Sequence, residues 1–216
     1  ALEVAYEAMQ QALIEKDEQA FIIGIFAAEC SFDFALLQVN SRVGPFTATG
    51  AAASITANRI SYALGLHGPS LAVDTGCSTS LVASDAACKA LYNRDCEMAV
   101  VVGVDINLHQ NNYINFSAAE MLSREGRCAT FSDQADGFAR GEGCGAIVLK
   151  SLSSALLDDD PIWAVLQSTA VNQDGRTATL TAPNGPAQEK VIRTAIERAG
   201  IQPDDVAYVE AHGTGT

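Results

Sequence analysis

A cysteine within a run of small residues is the strongest candidate nucleophile in this chain. Cys77 follows an apolar run, 71–73, that predicts a short buried strand, and a helical pattern begins directly after it. A strand, a tight turn and a helix together expose the side chain at the bend. The unpaired N–H groups at a helix start stabilise a thiolate and can later hold a developing oxyanion. The small neighbours Gly76, Ser78 and Ser80 favour covalent catalysis here over a buried structural thiol.

A histidine near the end of the sequence is the second candidate. His212 follows the apolar run 206–211, and α/β proteins place their sites at the carboxyl ends of strands. The glycine after His212 allows a substrate to approach closely, and Thr214 and Thr216 supply hydroxyl groups at alternating positions. Glu210 could orient the imidazole, although a structural or solvated carboxylate explains it equally well.

Two glycine-rich stretches argue against nucleotide and metal sites. Residues 136–145 precede a strand-like run, whereas a dinucleotide fingerprint or a P-loop follows a strand and opens a helix. We interpret these glycines as a tight turn next to a pocket. Residues 172–175 are similar to part of a calcium loop but lack the remaining ligand spacing, so they are interpreted as a turn.

Apolar strands alternate with amphipathic helices along the chain, which predicts an α/β fold with a mainly parallel sheet. The helix after Cys77 is expected to direct Leu81, Val82, Ala86 and Leu91 inward. Hydrophobic periodicity and stop signals predict helices over 1–15, 51–64, 78–92, 117–122 and 185–199. Compact apolar runs predict strands over 21–28, 71–73, 98–105, 144–150, 162–171 and 206–211.

Composition excludes several classes of function. The net charge of −13 argues against nucleic-acid binding, which needs a basic surface, and the apolar runs are too short to span a membrane. No two of the six cysteines stand three residues apart, which excludes a Cys-x-x-Cys metal or redox pair. The high apolar content and the lack of a recognisable targeting segment favour reduced thiols in an intracellular compartment. The Ser/Asp-rich segment 151–160 predicts an internal boundary near residue 160. Both ends of the sequence fall beside regular elements, which suggests a piece of a longer polypeptide.

Six sequence blocks in a fixed order resemble one enzyme family. They are Asn-Arg-Ile-Ser-Tyr with Gly-Pro-Ser at 58–62 and 68–70, Asp-Thr-Gly-Cys-Ser-Thr-Ser at 74–80, Asp-Gly-Phe with Gly-Glu-Gly at 136–138 and 141–143, Val-Asn-Gln-Asp-Gly at 171–175, Thr-Ala-Pro-Asn-Gly-Pro at 181–186, and Glu-Ala-His-Gly-Thr-Gly-Thr at 210–216. On these motifs the whole chain resembles the ketosynthase (β-ketoacyl synthase) domain of polyketide and fatty-acid synthases. The block at 171–175 looks more like polyketide synthases than free-standing fatty-acid enzymes.

The resemblance implies a thiolase-like α/β fold with two similar halves in αβαβα layers, and a homodimer. The chain would supply a nearly complete first half, 1–160, and only the start of the second half, 161–216. Acyl carrier protein and neighbouring synthase domains are the implied partners, with no membrane span. The domain itself would bind no cofactor or metal, because its substrates are carried on the phosphopantetheine arm of acyl carrier protein.

The resemblance also implies an acyltransferase that forms carbon–carbon bonds by decarboxylative Claisen condensation. Cys77 would take up the acyl chain, and a malonyl-type extender would attack it after losing carbon dioxide. His212 matches a histidine that stabilises charge on the extender's thioester oxygen. Thr214 and Thr216 match positions that hold pantetheine, and Phe138 matches an aromatic residue that lines the extender pocket.

Departures from the family leave alternatives open. Gly76 and Thr79 replace the family's usual alanine and serine, and both changes should leave the bend intact. The second histidine of the family and its nearby lysine lie beyond Thr216, so residues 1–216 alone are not expected to condense. The alternatives are a fatty-acid synthase ketosynthase, a non-elongating ketosynthase that only passes acyl chains, and a thiolase-type enzyme that uses coenzyme A. A non-catalytic scaffold is disfavoured because such proteins typically replace the nucleophile.

Overall fold

The fold is centred on a four-stranded sheet in the computed structural model, which describes residues 1–14, 22–30, 32–39 and 41–215. The strands are β1 (Ile23–Glu29), β2 (Ser70–Val73), β3 (Met98–Asp105) and β4 (Gly143–Lys150). Their order is β2-β1-β3-β4, with the first three parallel and β4 antiparallel to β3. The predicted α/β class and mainly parallel sheet are confirmed.

Helices pack on both faces of this sheet. Helices α1 (Leu2–Gln11) and α4 (Ser54–Leu64) cover one face, and α5 (Thr79–Asn93) covers the other. The remaining helices of the described residues are α2 (Asp33–Gln38), α3 (Thr47–Ala51), α6 (Asn111–Ala118), α7 (Leu152–Leu157) and α8 (Gly185–Ala199). Helix α1 ends before the predicted residue 15 because the chain turns at Leu13, where φ is 57°. Residues 15 and 21, the predicted end of this helix and start of the next strand, lie outside the described residues.

Two apolar clusters hold the layers together. On one face, α1 and α4 pack on the sheet through fully buried side chains such as Ile25, Ile60 and Val100. On the other face, α5 packs against Phe26 and Val101 through a row of alanines. Burying a large aliphatic or aromatic side chain contributes about 1.5–3 kcal/mol. These contacts fix the position of α5, and therefore of the bend that precedes it.

The inward face of α5 differs from the prediction. The side chains buried against the sheet belong to Ala83, Ala87 and Ala90, whereas Leu81 is 74% exposed. Val82, Ala86 and Leu91 are half-buried. Alanines allow the helix to approach the sheet closely, and Ala86 and Leu91 pack against the same apolar cluster, whereas Leu81 remains exposed. The predicted inward positions are therefore confirmed for Ala86 and Leu91 and wrong for Leu81.

Strand β2 is present where expected, but it is not buried. It pairs only with β1 in the described part of the chain, which makes it an edge strand, and Leu71 is 46% exposed. Its register matters for the site. Val73 lies opposite Ala28, so the residues that follow β1 and β2 emerge at the same edge of the sheet.

Several polar segments form helices that apolar periodicity did not predict. Helix α6 occupies Asn111–Ala118 rather than the predicted 117–122, and α7 lies within the segment that was interpreted as a separator. The buried carboxylate of Asp33 explains the start of α6. It accepts hydrogen bonds from the backbone N–H groups of Leu108 and His109, both at 2.9 Å, and from the Asn112 side chain at 2.8 Å. This contact spans more than seventy residues of sequence.

The strands predicted at 162–171 and 206–211 are wrong for the described residues, where neither segment joins a sheet. A strand needs a neighbour to pair its backbone groups, and apolar runs alone do not provide one. The first segment instead lies between helices: Thr169 donates a hydrogen bond to Asp85 of α5 at 2.8 Å, and Ser168 donates one to the carbonyl of Ala195 in α8 at 2.7 Å. Helix α8 has its predicted bounds, ended by Gly200 at φ 69°.

Candidate active site

The carboxyl ends of the three parallel strands bring chemically active residues to one edge of the sheet. Ala28 pairs with Val73, and Glu29 pairs with Val104. Cys30 directly after β1, Asp74 directly after β2 and Asp105 at the end of β3 therefore lie at the same edge. Parallel α/β sheets bind ligands in this position.

Cys77 lies at the bend between β2 and α5, as the sequence predicts. A single 3₁₀ turn, Gly76–Ser78, follows the strand and leads directly into the helix, and Cys77 is exposed. Hydrogen bonds fix the turn on both sides of the cysteine: Gly76 N–H donates to the Asp74 carboxylate at 3.0 Å, and Thr75 N–H donates to the Thr79 hydroxyl at 2.9 Å. The departure from the family at Thr79 thus provides a contact within the bend.

Phe138 lies beside this edge, in a surface formed by residues 121–123 and 137–138 that is referred to below as the Phe138 wall. Its N–H donates to the carbonyl of Met121 and its carbonyl accepts from Ser123 N–H, both at 3.0 Å. Its ring meets the ring of Phe116 edge to face, with centroids 5.7 Å apart. The preceding Gly137 has φ 141° and lies so close to 122–123 that a side chain would not fit. The tight turn predicted in 136–145 is not present in these described residues: Phe138 forms an isolated bridge with Leu122, and β4 begins at Gly143.

The segment that carries His212 packs against the same wall. Gly137 N–H donates to the carbonyl of Gly215 at 3.1 Å, and the Thr130 hydroxyl donates to the carbonyl of Gly213. His212 is exposed and Thr214 is half-buried, while Thr216 lies outside the described residues.

Within the described residues, His212 has no hydrogen bond to either Glu210 or Cys77. The Tyr208 hydroxyl donates to the Glu210 carboxylate, so Glu210 faces this phenol rather than the imidazole of His212. No hydrogen bond joins Cys77 to His212 in this part of the chain. The Gly213–Gly215 segment nevertheless contacts the Phe138 wall, which places His212 and Phe138 in one region of the molecule.

Comparison with protein families agrees with this geometry. The profile of the beta-ketoacyl synthase N-terminal domain matches residues 1–155, and that of the C-terminal domain matches residues 163–216. The chain belongs to the beta-ketoacyl synthase family. The resemblance inferred from six motifs is therefore confirmed.

Relatives of this ketosynthase chain are polyketide synthases. It is 47% identical over 220 residues to a phenolphthiocerol/phthiocerol polyketide synthase of Mycobacterium tuberculosis, and 44% identical over 218 residues to a highly reducing polyketide synthase of Penicillium oxalicum. Each alignment covers the whole chain but only 14% and 9% of the respective relative. These relatives are thus far longer than this chain.

Solved ketosynthase structures share the fold. The oxazolomycin ketosynthase domain OzmH KS7 of Streptomyces albus superimposes with a TM-score of 0.94 at 38% identity. The ketosynthase from module 6 of the Bacillus subtilis bacillaene synthase gives a TM-score of 0.92 at 37% identity. Both matches cover the whole chain and 38% and 37% of the solved chains, so the ketosynthase chain spans little more than a third of them. The predicted thiolase-like fold is confirmed.

A second thiol near Cys77 was missed by sequence reasoning. Cys30 directly follows β1 and is exposed. Burial of part of this side chain raises the pKa of its thiol, electrostatic interactions with Asp105, Asp74 and Cys77 raise it further, and Arg140 opposes them. Cys30 could be recognised in the sequence as a residue just after a predicted strand. The sequence did not show that this strand, β1, pairs with β2, and this pairing brings Cys30 close to Cys77.

Thiol alkylation should distinguish these cysteines in the ketosynthase chain. Because the pKa of Cys30 is raised, its reactive thiolate is scarce at neutral pH and accumulates only in more alkaline solution. Iodoacetamide should therefore modify exposed Cys77 before Cys30 at neutral pH, and Cys30 should catch up as the pH rises. Peptide mass spectrometry after timed labelling measures each site. Buried Cys96, whose pKa is also raised by burial, is the slow internal reference. Equal rates at Cys30 and Cys77 at neutral pH would contradict this expectation.

The described residues show neither a metal site nor a membrane-spanning helix. They contain no group of three or more His, Cys, Asp or Glu side chains arranged to hold a metal ion. In the same part of the chain, no helix has the length and apolar character needed to cross a bilayer.

Proposed function

We propose that this chain is part of a ketosynthase domain that forms carbon–carbon bonds in polyketide biosynthesis. The observation that carries the proposal is an exposed cysteine, Cys77, at a strand–turn–helix bend in a chain of the beta-ketoacyl synthase family. The similar polyketide synthases and the ketosynthase structures with the same fold support this reaction class.

The first step is acyl transfer to Cys77. Its thiolate attacks the carbonyl carbon of an acyl thioester carried on the phosphopantetheine arm of acyl carrier protein. The bond between that carbon and the pantetheine sulfur breaks, the pantetheine thiolate leaves and takes up a proton, and the acyl group remains on Cys77 as a thioester. The position of Cys77 directly before α5 supports this step, because the N–H groups at a helix start stabilise first the thiolate and then the oxyanion.

The second step is decarboxylative condensation. A malonyl-type extender loses carbon dioxide, and the electron pair of the broken bond attacks the Cys77 thioester carbon. The new carbon–carbon bond forms and Cys77 leaves as a thiolate, ready for the next acyl group. His212 donates a hydrogen bond to the extender's thioester oxygen as negative charge develops there, a task that suits a neutral imidazole.

The extender and its pantetheine arm have proposed contacts in the same wall. Phe138 lines the extender pocket, and Thr214 and Thr216 hold the arm. The hydrogen bond from Gly137 to Gly215 supports this arrangement, because it ties the residue before Phe138 to the residue after Thr214.

The domain organisation and partners follow from the same proposal. The boundary between the two ketosynthase halves lies near residue 160, between the two matched ranges 1–155 and 163–216. Acyl carrier protein, a second copy in a homodimer and neighbouring synthase domains are the partners. An intracellular location is supported by six cysteines that are all unpaired.

A condensation assay tests the proposal in the polypeptide in which these residues occur. With acylated and malonylated acyl carrier protein, mass spectrometry should detect a β-ketoacyl product two carbons longer. Acetyl-coenzyme A in place of the malonyl thioester should give none, because without decarboxylation no carbanion forms at this site. Acylation of Cys77 without any elongated product would instead indicate a non-elongating ketosynthase, and product from acetyl-coenzyme A would indicate a thiolase-type enzyme.

A further inference from the structure

A buried cation lies behind the Phe138 wall. The Arg140 side chain is only 7% exposed and forms an ion pair with Asp105 at 3.6 Å. Its guanidinium lies over the rings of Tyr113 and Phe116 in α6, 5.2 and 5.6 Å from their centroids. A charge withdrawn from water is costly unless its surroundings compensate, and here two aromatic faces and one carboxylate do so.

The contacts of Arg140 lead from the end of β3 to Phe138. Asp105 is the last residue of β3, next to the edge where Cys77 and Cys30 emerge. Arg140 joins Asp105 to the Phe116 ring, and Phe116 also contacts the Phe138 ring, with the two centroids 5.7 Å apart. Phe116 therefore contacts both a buried cation and the residue that lines the proposed extender pocket.

The hydrogen bonding around Arg140 is not optimised for stability alone. Among the described residues, one nitrogen of its guanidinium and one oxygen of Asp105 are buried without a hydrogen-bond partner. Each such buried atom costs about 1–3 kcal/mol. Apolar side chains in place of both Arg140 and Asp105 would avoid that cost, because well-packed apolar replacements of whole buried ion pairs are often neutral or stabilising.

We infer that Arg140 is a positioning residue for the extender, and that it acts through Phe116 on Phe138. It does not touch the substrate. Its cation and its pairing with Asp105 fix the Phe116 ring, and this ring fixes the angle at which Phe138 meets the extender. The inference rests on the proposed function, since it assigns Phe138 to the extender pocket, and it separates the extender step from acyl transfer to Cys77.

Kinetics of the two half-reactions test this role in the polypeptide in which these residues occur. Arg140→Met should raise the KM for malonylated acyl carrier protein about tenfold, because a small displacement of a positioning group weakens productive binding. The rate of Cys77 acylation should stay within about twofold of wild type, since that step does not use Phe138. Arg140→Lys keeps a cation over the rings, so its KM for malonylated acyl carrier protein should lie between those of wild type and Arg140→Met. If Arg140 had a purely structural role, Arg140→Met would lower the rates of Cys77 acylation and of condensation together, and Arg140→Lys would restore neither.

A double-mutant cycle tests the route through Phe116. Phe116→Leu removes the ring without leaving an unpaired charge, so it also serves if Arg140→Met fails to fold. It should also raise the KM for malonylated acyl carrier protein. The KM of the double variant should be no higher than that of the more impaired single variant, because both substitutions interrupt the same route to Phe138. Additive effects, or an unchanged KM in either single variant, would overturn the inference while wild-type condensation still supports the proposed function. Absence of condensation in the wild type would overturn both.

Discussion

Replacing Cys77 with serine is expected to stop acyl-enzyme formation and to lower condensation by at least about 10⁴-fold, as loss of a catalytic nucleophile does elsewhere. A thiolate attacks a thioester readily, whereas a serine hydroxyl stays protonated at neutral pH unless a base removes its proton. No histidine is hydrogen-bonded at this bend among the described residues, and the nearby Asp74 carboxylate accepts from Gly76 N–H. Serine preserves the size of the side chain, so the loss reports chemistry rather than folding.

The matched control for this variant is Cys88→Ser. Cys88 lies on the same helix, α5, about three turns beyond the bend, and is half-buried away from the edge of the sheet. Intact-protein mass spectrometry after incubation with acylated carrier protein should show one acyl adduct in wild type and in Cys88→Ser, and none in Cys77→Ser. A retained adduct in Cys77→Ser would place the nucleophile at another residue, and an equal loss in Cys88→Ser would point to a folding defect.

The bend around Cys77 was predictable because its determinants are local. An apolar run of three residues, a glycine and a helical pattern lie within a short stretch, and the structure has β2, a 3₁₀ turn and α5 in that order. The bounds of β3 and α8 were predictable for the same reason. In α8 the Asn184 side chain accepts from Ala187 N–H at 3.2 Å, and Gly200 takes the left-handed conformation that ends the helix.

The surroundings of the bend were not predictable because they depend on contacts between distant residues. The Asp33 carboxylate organises the start of α6 from more than seventy residues away, and Cys30 approaches Cys77 only through the pairing of β1 with β2. Likewise, no pattern in the sequence connects Arg140 to Phe116. Residue types indicated the possible chemistry, but the neighbours of each group follow from the topology of the sheet.

The side of α5 that faces the sheet shows a second limit of sequence reasoning. Leu81 has the stronger hydrophobicity, yet Ala83 and Ala87 occupy the close contact because a small side chain permits a shorter distance between helix and sheet. The exposed apolar runs at 162–171 and 206–211 illustrate the same point. Hydrophobic content predicts that a segment prefers burial, but the strand forms only when a neighbouring strand is available.

Gly137→Ala is expected to be the most damaging small substitution in the Phe138 wall. A Cβ at this position would lie 2.5 Å from the backbone carbon of Leu122 and 2.5 Å from the backbone nitrogen of Ser123, and neither atom can move alone. The φ of 141° is also unfavourable for any residue with a side chain. Strain and overpacking together should lower the free energy of unfolding by at least about 3 kcal/mol, or displace the wall.

The displacement should appear in the extender step before it appears in acyl transfer. Gly137 N–H donates to the carbonyl of Gly215, and Phe138 follows directly, so movement of this residue shifts both the proposed pantetheine segment and the extender pocket. Condensation should fall at least about tenfold. Gly141→Ala is the matched control, because this glycine lies in the same loop with open space around its Cβ position and no positive φ. Thermal unfolding and extender KM measure the two effects. If Gly137→Ala matched Gly141→Ala in both, the close packing of 137 against 122–123 would not be what holds Phe138 in place.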